Sequence, residues 1–316
     1  MDFSRLETSS KIGDGWRYPA AEPRRSGWLD VDAEAGHRIY WEEYGAAGGE
    51  PVMVLHGGPG GACSPEMARF FDPARYRIIL FDQRGCGKSE PNVAAAGPVA
   101  ALRHNDTPHL IDDINRLRDA LDIAGPMHVF GGSWGSTLAM AYAIAFPQHC
   151  ASLILRGIFL GSAEDLDYLY QGNAATWHEA PYALTAPGAY INYPDEWAEL
   201  LGVLSVAERR DVMASYKAIF DMVPQTDAER ERQLHAALVW SLWAGTISNL
   251  IPEHGATGKF GDADFALCFA SRLVAALRDA GREPATYVVT NAGHSAMERE
   301  NALALTAIMD GLPPLR

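Results

Sequence analysis

Three short segments hold residue types that can do chemistry together. The run Gly131-Gly132-Ser133-Trp134-Gly135 is a GxSxG pattern, preceded by the apolar MHVF and followed by the apolar LAMAYAIAF. A serine on a sharp strand-to-helix bend, with small neighbours, stands at the positive end of a helix dipole, where developing negative charge is favoured. That is the setting of a nucleophile for acyl transfer. A serine hydroxyl needs a base, and the expected chain order is serine, acid, histidine. Of the ten histidines, His294 in NAGHSA is the best placed, beside Gly293 and near the chain end. The second segment, His56-Gly57-Gly58-Pro59-Gly60-Gly61, follows the apolar run PVMVL directly. Its glycines let a backbone N–H face a substrate oxygen, and with the Trp134 N–H this makes an oxyanion hole. His56 is read as ordering that loop rather than as the base. Glycine-rich loops here also cradle phosphate, but no GKS/T closes this one. The third segment, Asp82 to Ser89 (DQRGCGKS), ends like a phosphate loop but lacks the upstream glycine such a loop requires. It is read as a structural turn in which Arg84 braces neighbouring loops.

These segments need a scaffold that gathers them. Short apolar runs at 51–57, 76–85, 127–133 and 150–157 read as buried strands. Trp28–Asp32 and Arg38–Tyr44 read as a hairpin. Residues 107–121 repeat apolar side chains at Leu110, Ile111, Ile114, Leu117 and Leu121, a helical spacing with Thr107-Pro108 as its start. A second helix spans about 134–146 and stops at Pro147. Strands alternating with helices predict an α/β fold with a mostly parallel sheet. Residues 1–27, polar and rich in Gly, Pro and Arg, read as a loosely attached N-terminal arm. Residues 162–250 show helical patterns, many aromatics and no strand. They read as a helical cap inserted between two core pieces, 28–161 and 251–316. The core resumes with a helix over 264–279, a strand over 285–290 and a terminal helix near 298–309.

Composition excludes several classes. Lys and Arg number 26 against 40 Asp and Glu, a net charge of −14. Phosphate backbones and anionic lipid surfaces would both be repelled, so neither nucleic acid nor membrane is an expected partner. With 48% hydrophobic and 21% charged residues, the chain is not of the disordered class. The four cysteines form no CxxC pair, which argues against a zinc ribbon or redox motif and for reduced thiols in the cytoplasm. MDFSRLETSS has no apolar h-region, so no secretory signal is expected, and no stretch is long enough to span a membrane.

Together, HGGPGG, FDQRGCGKS, FGGSWGSTLAMAYA, LILRGIFL, WSLWAG and AGHSAME resemble the proline iminopeptidase family (prolyl aminopeptidases) of α/β-hydrolases, from about Trp28 onward. The resemblance implies the α/β-hydrolase fold and a serine peptidase that removes amino-terminal proline from peptides, with no metal or cofactor. It implies Ser133 as nucleophile, His294 as base, and Gly58 and Trp134 as oxyanion donors. The chain departs from the family pattern in three places. Residues 251–284 show neither the late strand nor the G-R-Y/F-D type turn that carries the acid, so the expectation is a core lacking one late core strand. Asp262, Asp264 and Asp165 are the candidates for the unassigned acid. Loss of such an acid can cost about 10⁴ in rate. Trp243-Ala244 stands where the family has Trp-Glu, a glutamate the resemblance would use to hold the substrate amine. A further family glutamate falls in the missing stretch. Three readings follow: a prolyl aminopeptidase, an esterase or amidase with an altered cap, or a weakly active binding relative. The first two take a small peptide or ester.

Overall fold

The computed structural model describes residues 17–161, 163–177, 179, 188–248, 262–264, 266–267, 305–306, 308–310, 312 and 315. Among them is a sheet of six strands: β1 (Arg25–Asp32), β2 (His37–Gly45), β3 (Glu50–Leu55), β4 (Tyr76–Phe81), β5 (Met127–Gly132) and β6 (Cys150–Arg156), ordered β1-β2-β4-β3-β5-β6. The β1–β2 and β2–β4 pairs are antiparallel; β4, β3, β5 and β6 run parallel. The parallel strands in the middle of the sheet are covered on both faces, which is why they read as unbroken apolar runs. Val52 to Leu55, Ile78 to Phe81 and all of β5 are buried.

The chain passes from β3 to β4 on one side and then crosses to β5 on the other. The strand order therefore reverses between β3 and β5, where open α/β sheets bind ligands at the carboxyl ends of the strands. The HGGPGG loop after β3, the DQRG turn after β4 and Ser133 after β5 all emerge there. The helix Thr107–Ala120 buries Leu110, Ile114 and Leu117 against one face of the sheet. Its cap is Asp106, one residue earlier than the spacing suggested: the carboxylate accepts the His109 N–H at 3.1 Å. Asp106 wins because its short acidic side chain meets the free N–H groups of the first turn.

Residues 163–248 contain helices and no strand among the described residues, with long helices at Pro194–Gly202, Val212–Asp221 and Asp227–Ile247. The last begins with a reciprocal capping box between Thr226 and Glu229. These helices bury an aromatic cluster of their own, in which Tyr170 stacks on Trp240 at 4.6 Å and Trp197 packs on Trp243 at 5.1 Å. That cluster is separate from the two beneath the sheet.

The stretch before Trp28 is anchored from residue 17 on, contrary to the expected loose arm. Tyr18 is buried, its hydroxyl donates to Asp310 at 2.8 Å, and its N–H bonds to the Arg69 carbonyl at 2.9 Å. Strand β1 starts at Arg25 because Arg25 reaches Glu43 of β2, a fully buried carboxylate that Arg24 and Arg77 also pair with. The described part of the terminal helix packs Leu305 and Met309 under the sheet, where Tyr76 donates its hydroxyl to the Met309 carbonyl at 2.5 Å. His294, the expected strand over 285–290 and most of 251–304, where the late strand was in question, lie outside the described residues. No described helix is long and apolar enough to cross a membrane.

Candidate active site

Ser133 caps the helix Trp134–Ala145 with φ 55° and ψ −127°, a conformation side-chain-bearing residues rarely adopt. Strain of this kind costs about 1–3 kcal/mol and persists only where its surroundings over-determine it. Here they do. The Ser133 N–H bonds to the Arg156 carbonyl of β6 at 2.9 Å, and its carbonyl accepts the Ser136 N–H and hydroxyl at 2.8 and 2.6 Å. The flanking glycines are a steric requirement. A Cβ on Gly135 would lie 2.2 Å from the Leu55 carbonyl oxygen, and one on Gly131 would lie 2.2 Å from the Gly135 oxygen. The helix thus crosses the end of β3 in contact with it. Trp134 is its first residue, so its N–H has no acceptor within the helix and sits at the positive end of the dipole.

The HGGPGG loop lies against this bend. A Cβ on Gly57 would be 3.2 Å from the Ser133 Cβ. The loop is held by His56, whose Nε2 accepts the Gln83 N–H at 3.0 Å, while its Nδ1 lies 2.9 Å from the Gly57 carbonyl. An Nε2 that accepts an amide proton carries none of its own, so His56 is neutral with its proton on Nδ1. It orders the loop, as the sequence suggested. Gln83 completes the frame by donating to the His56 carbonyl at 3.0 Å and accepting the Trp134 indole N–H at 3.1 Å.

Arg84 braces the next layer. Its guanidinium grips Asp113 with two bonds of 2.6 and 2.8 Å, then reaches Asp32 at 3.1 Å and the His104 carbonyl at 2.9 Å. Asp32, His104 and His109 bring one ligand-type atom each within 4.8 Å of one another. The Asp32 oxygen facing them already takes Arg84 and, at 2.9 Å, His104 Nδ1, and His109 Nδ1 pairs with Asp106 at 2.6 Å. A guanidinium on the shared oxygen disfavours a second cation, so the group works as an ion-pair brace.

Ser133 is half-buried and opens into a cavity of about 280 Å³ whose lining includes Gly58, Phe159, Asp165, Tyr168 and Ala244. The structure therefore brings Ser133, Gly58, Asp165 and Ala244 to one chamber between sheet and cap. Trp243 does not line it. Its side chain is buried and its indole N–H donates to the Leu169 carbonyl at 3.0 Å, so it positions a wall residue. Asp262 and Asp264 are exposed and absent from the lining. Sequence reasoning missed Phe159, Tyr168, Tyr170, Ile247 and Ser248. Ile247 and Ser248 lie three and four residues beyond Ala244, a spacing that places all three on one helix face. Burial pushes the Tyr170 phenol well above its ordinary range, so it stays neutral. The chamber is thus mostly apolar, with Asp165 the one acidic side chain among its described lining residues.

The family model described as the alpha/beta hydrolase fold matches residues 50–304. With the sheet order and the strained serine after β5, this makes the chain an α/β-hydrolase. It is 40% identical over 253 residues to the proline iminopeptidase of Xylella fastidiosa strain Temecula1, covering 80% of this chain and 71% of that protein. It is 41% identical over 254 residues to the proline iminopeptidase of Xanthomonas citri, again 80% and 71%. The chain belongs to the proline iminopeptidase family. Among solved structures, a proline iminopeptidase-related protein of Thermus thermophilus is similar at 21% identity and a TM-score of 0.40, covering 80% of this chain and 86% of that one.

Proposed function

We propose that this protein is a serine aminopeptidase that hydrolyses amino-terminal proline from small peptides. The observation that carries the reading is Ser133 on its strained bend, facing a cap-covered chamber beside Gly58. In this reading the Ser133 hydroxyl attacks the prolyl carbonyl and passes its proton to His294, assigned by its NAGHSA motif. The Gly58 and Trp134 N–H groups hold the oxyanion. The peptide amine leaves with the proton from His294. Water, deprotonated by His294, then releases proline from the acyl-enzyme. The acid that orients His294 is unassigned. Asp262 and Asp264 are exposed, which argues against them, and Asp165 lines the substrate chamber. No step calls for a metal or cofactor.

The cytoplasmic setting and the absence of nucleic-acid or membrane partners belong to the same proposal. The free thiol of Cys150 and the net charge of −14 support it. A second reading, an esterase or amidase for neutral substrates, is favoured by Ala244 in the chamber wall. Hydrolysis of a proline arylamide measured against a short-chain ester decides between them. The peptidase reading expects the arylamide to be strongly preferred, Ser133→Ala to abolish both reactions, and a fluorophosphonate to label Ser133. Ester activity alone would establish the second reading, and an unlabelled Ser133 would sink both.

A further inference from the structure

We infer that Asp165 is the anion that receives the substrate's amino-terminal ammonium, and so sets specificity for an unblocked amino terminus. The inference rests on the peptidase reading above. In a prolyl substrate the charged ring nitrogen is two bonds from the carbonyl carbon that Ser133 attacks. Wherever the carbonyl is placed for attack, the ammonium must lie in the same chamber. Ile158, Phe159, Leu169 and Ile247 make much of that wall apolar. An ammonium brought there from water without a counter-charge is strongly disfavoured, because burying an unpaired ion costs several kcal/mol. Position 244 offers only a methyl group. Asp165 is the one carboxylate among the described lining residues, and Lys and Arg are absent from them. Its Oδ2 accepts the Leu160 N–H at 3.3 Å, which fixes the carboxylate at the end of the 157–161 segment. That segment is itself tied to the catalytic bend, since Phe159 donates its N–H to the Ser136 hydroxyl at 3.2 Å and accepts the Thr137 hydroxyl. Anion and nucleophile are therefore held by one hydrogen-bonded frame.

The test compares two arylamides that differ by one ring atom: L-proline p-nitroanilide, and its tetrahydrofuran-2-carbonyl counterpart, in which oxygen replaces the ammonium. The wild-type protein is expected to favour the prolyl substrate, and Asp165→Asn to lower the ratio of the two kcat/KM values by about 10–100-fold, mostly through KM for the prolyl substrate. An unchanged ratio would overturn the inference. So would an equal fall in kcat for both substrates, the mark of an acid that orients the base. Failure of the peptidase reading shows separately, as wild-type protein that hydrolyses neither arylamide. In that event, titration of Ser133→Ala protein with L-prolinamide and tetrahydrofuran-2-carboxamide still reads the contact. Selective weakening of prolinamide by added Asp165→Asn supports it, and no selectivity in either protein refutes it.

Discussion

The indole N–H of Trp134 donates to the side-chain oxygen of Gln83 at 3.1 Å, so the turn after β4 and the bend at Ser133 after β5 are one hydrogen-bonded unit. The same glutamine donates to the carbonyl of His56, which orders the HGGPGG loop. Replacing it with Gln83→Leu strands two buried polar groups, at about 1–3 kcal/mol each. The expected result is a fall in kcat of about 10–100-fold, with KM changed less, because in the proposed mechanism the bond aligns the oxyanion donors, which matter most in the transition state. Steady-state kinetics on a proline arylamide checks this. A change confined to KM would contradict it.

Gly135 should tolerate no side chain. A methyl group there meets the Leu55 carbonyl oxygen at 2.2 Å, and the opposing atom is sheet backbone that cannot rotate away. Gly135→Ala is expected to destabilise the protein by about 1–3 kcal/mol or more, the range of overpacking. The measurement is a shifted urea midpoint. The exposed Gly48, whose Cβ would meet nothing within 4 Å, serves as the control.

Arg84 and Asp113 form a buried bidentate pair, each at most 1% exposed. Arg84→Met leaves the carboxyl without its partner and should cost about 3–5 kcal/mol. Asp113→Leu in the same chain removes the stranded group and should recover part of the loss. Denaturant unfolding of the two single variants and the double variant measures that coupling. A strictly additive double variant would show that the pair does not act as one unit.

Asp32 gives the stability curve an acid limb. The Ala35 N–H, then His104 and Arg84, hold its carboxyl well below the ordinary range. A carboxyl depressed in the folded state binds fewer protons there than in the unfolded chain. Its contribution is therefore complete above about pH 4 and is lost as pH falls from there toward the folded value. Asp32→Asn should flatten the decline in unfolding free energy below pH 4, measured by denaturant titration across that range. An unaltered slope would assign the acid limb to other groups.

How far the sequence alone reached follows from the length scale of each signal. Strands β3, β4 and β5 were legible because burial on both faces forces an apolar residue at nearly every position. The bend at Ser133 was legible because only glycine fits the crossing at 131 and 135. Strand β1 reads past its polar start only once Arg25 is known to meet the buried Glu43 of β2, a pairing 18 residues apart that no local pattern carries. The chamber was half legible. Ala244 was the lining residue legible in its helix; Ile247 and Ser248, three and four residues on, were missed although they share its face, and Tyr168 and Phe159 arrive from a different segment, placed only by tertiary contacts. Trp243, next to Ala244 in sequence, faces away from the chamber, and its indole braces Leu169.

The helical layer over Ser133 carries its own aromatic core, apart from the clusters under the sheet; Phe159 packs against that core and hydrogen-bonds Ser136 and Thr137 just after the bend at Ser133. Selectivity that rests on this upper core is thereby separable from reactivity, whereas Asp165 is tied through Leu160 and Phe159 to the frame of the bend. The upper layer can change which molecules it admits while the machinery below keeps its alignment, so a lineage of such proteins is free to diversify its diet without relearning how to cut.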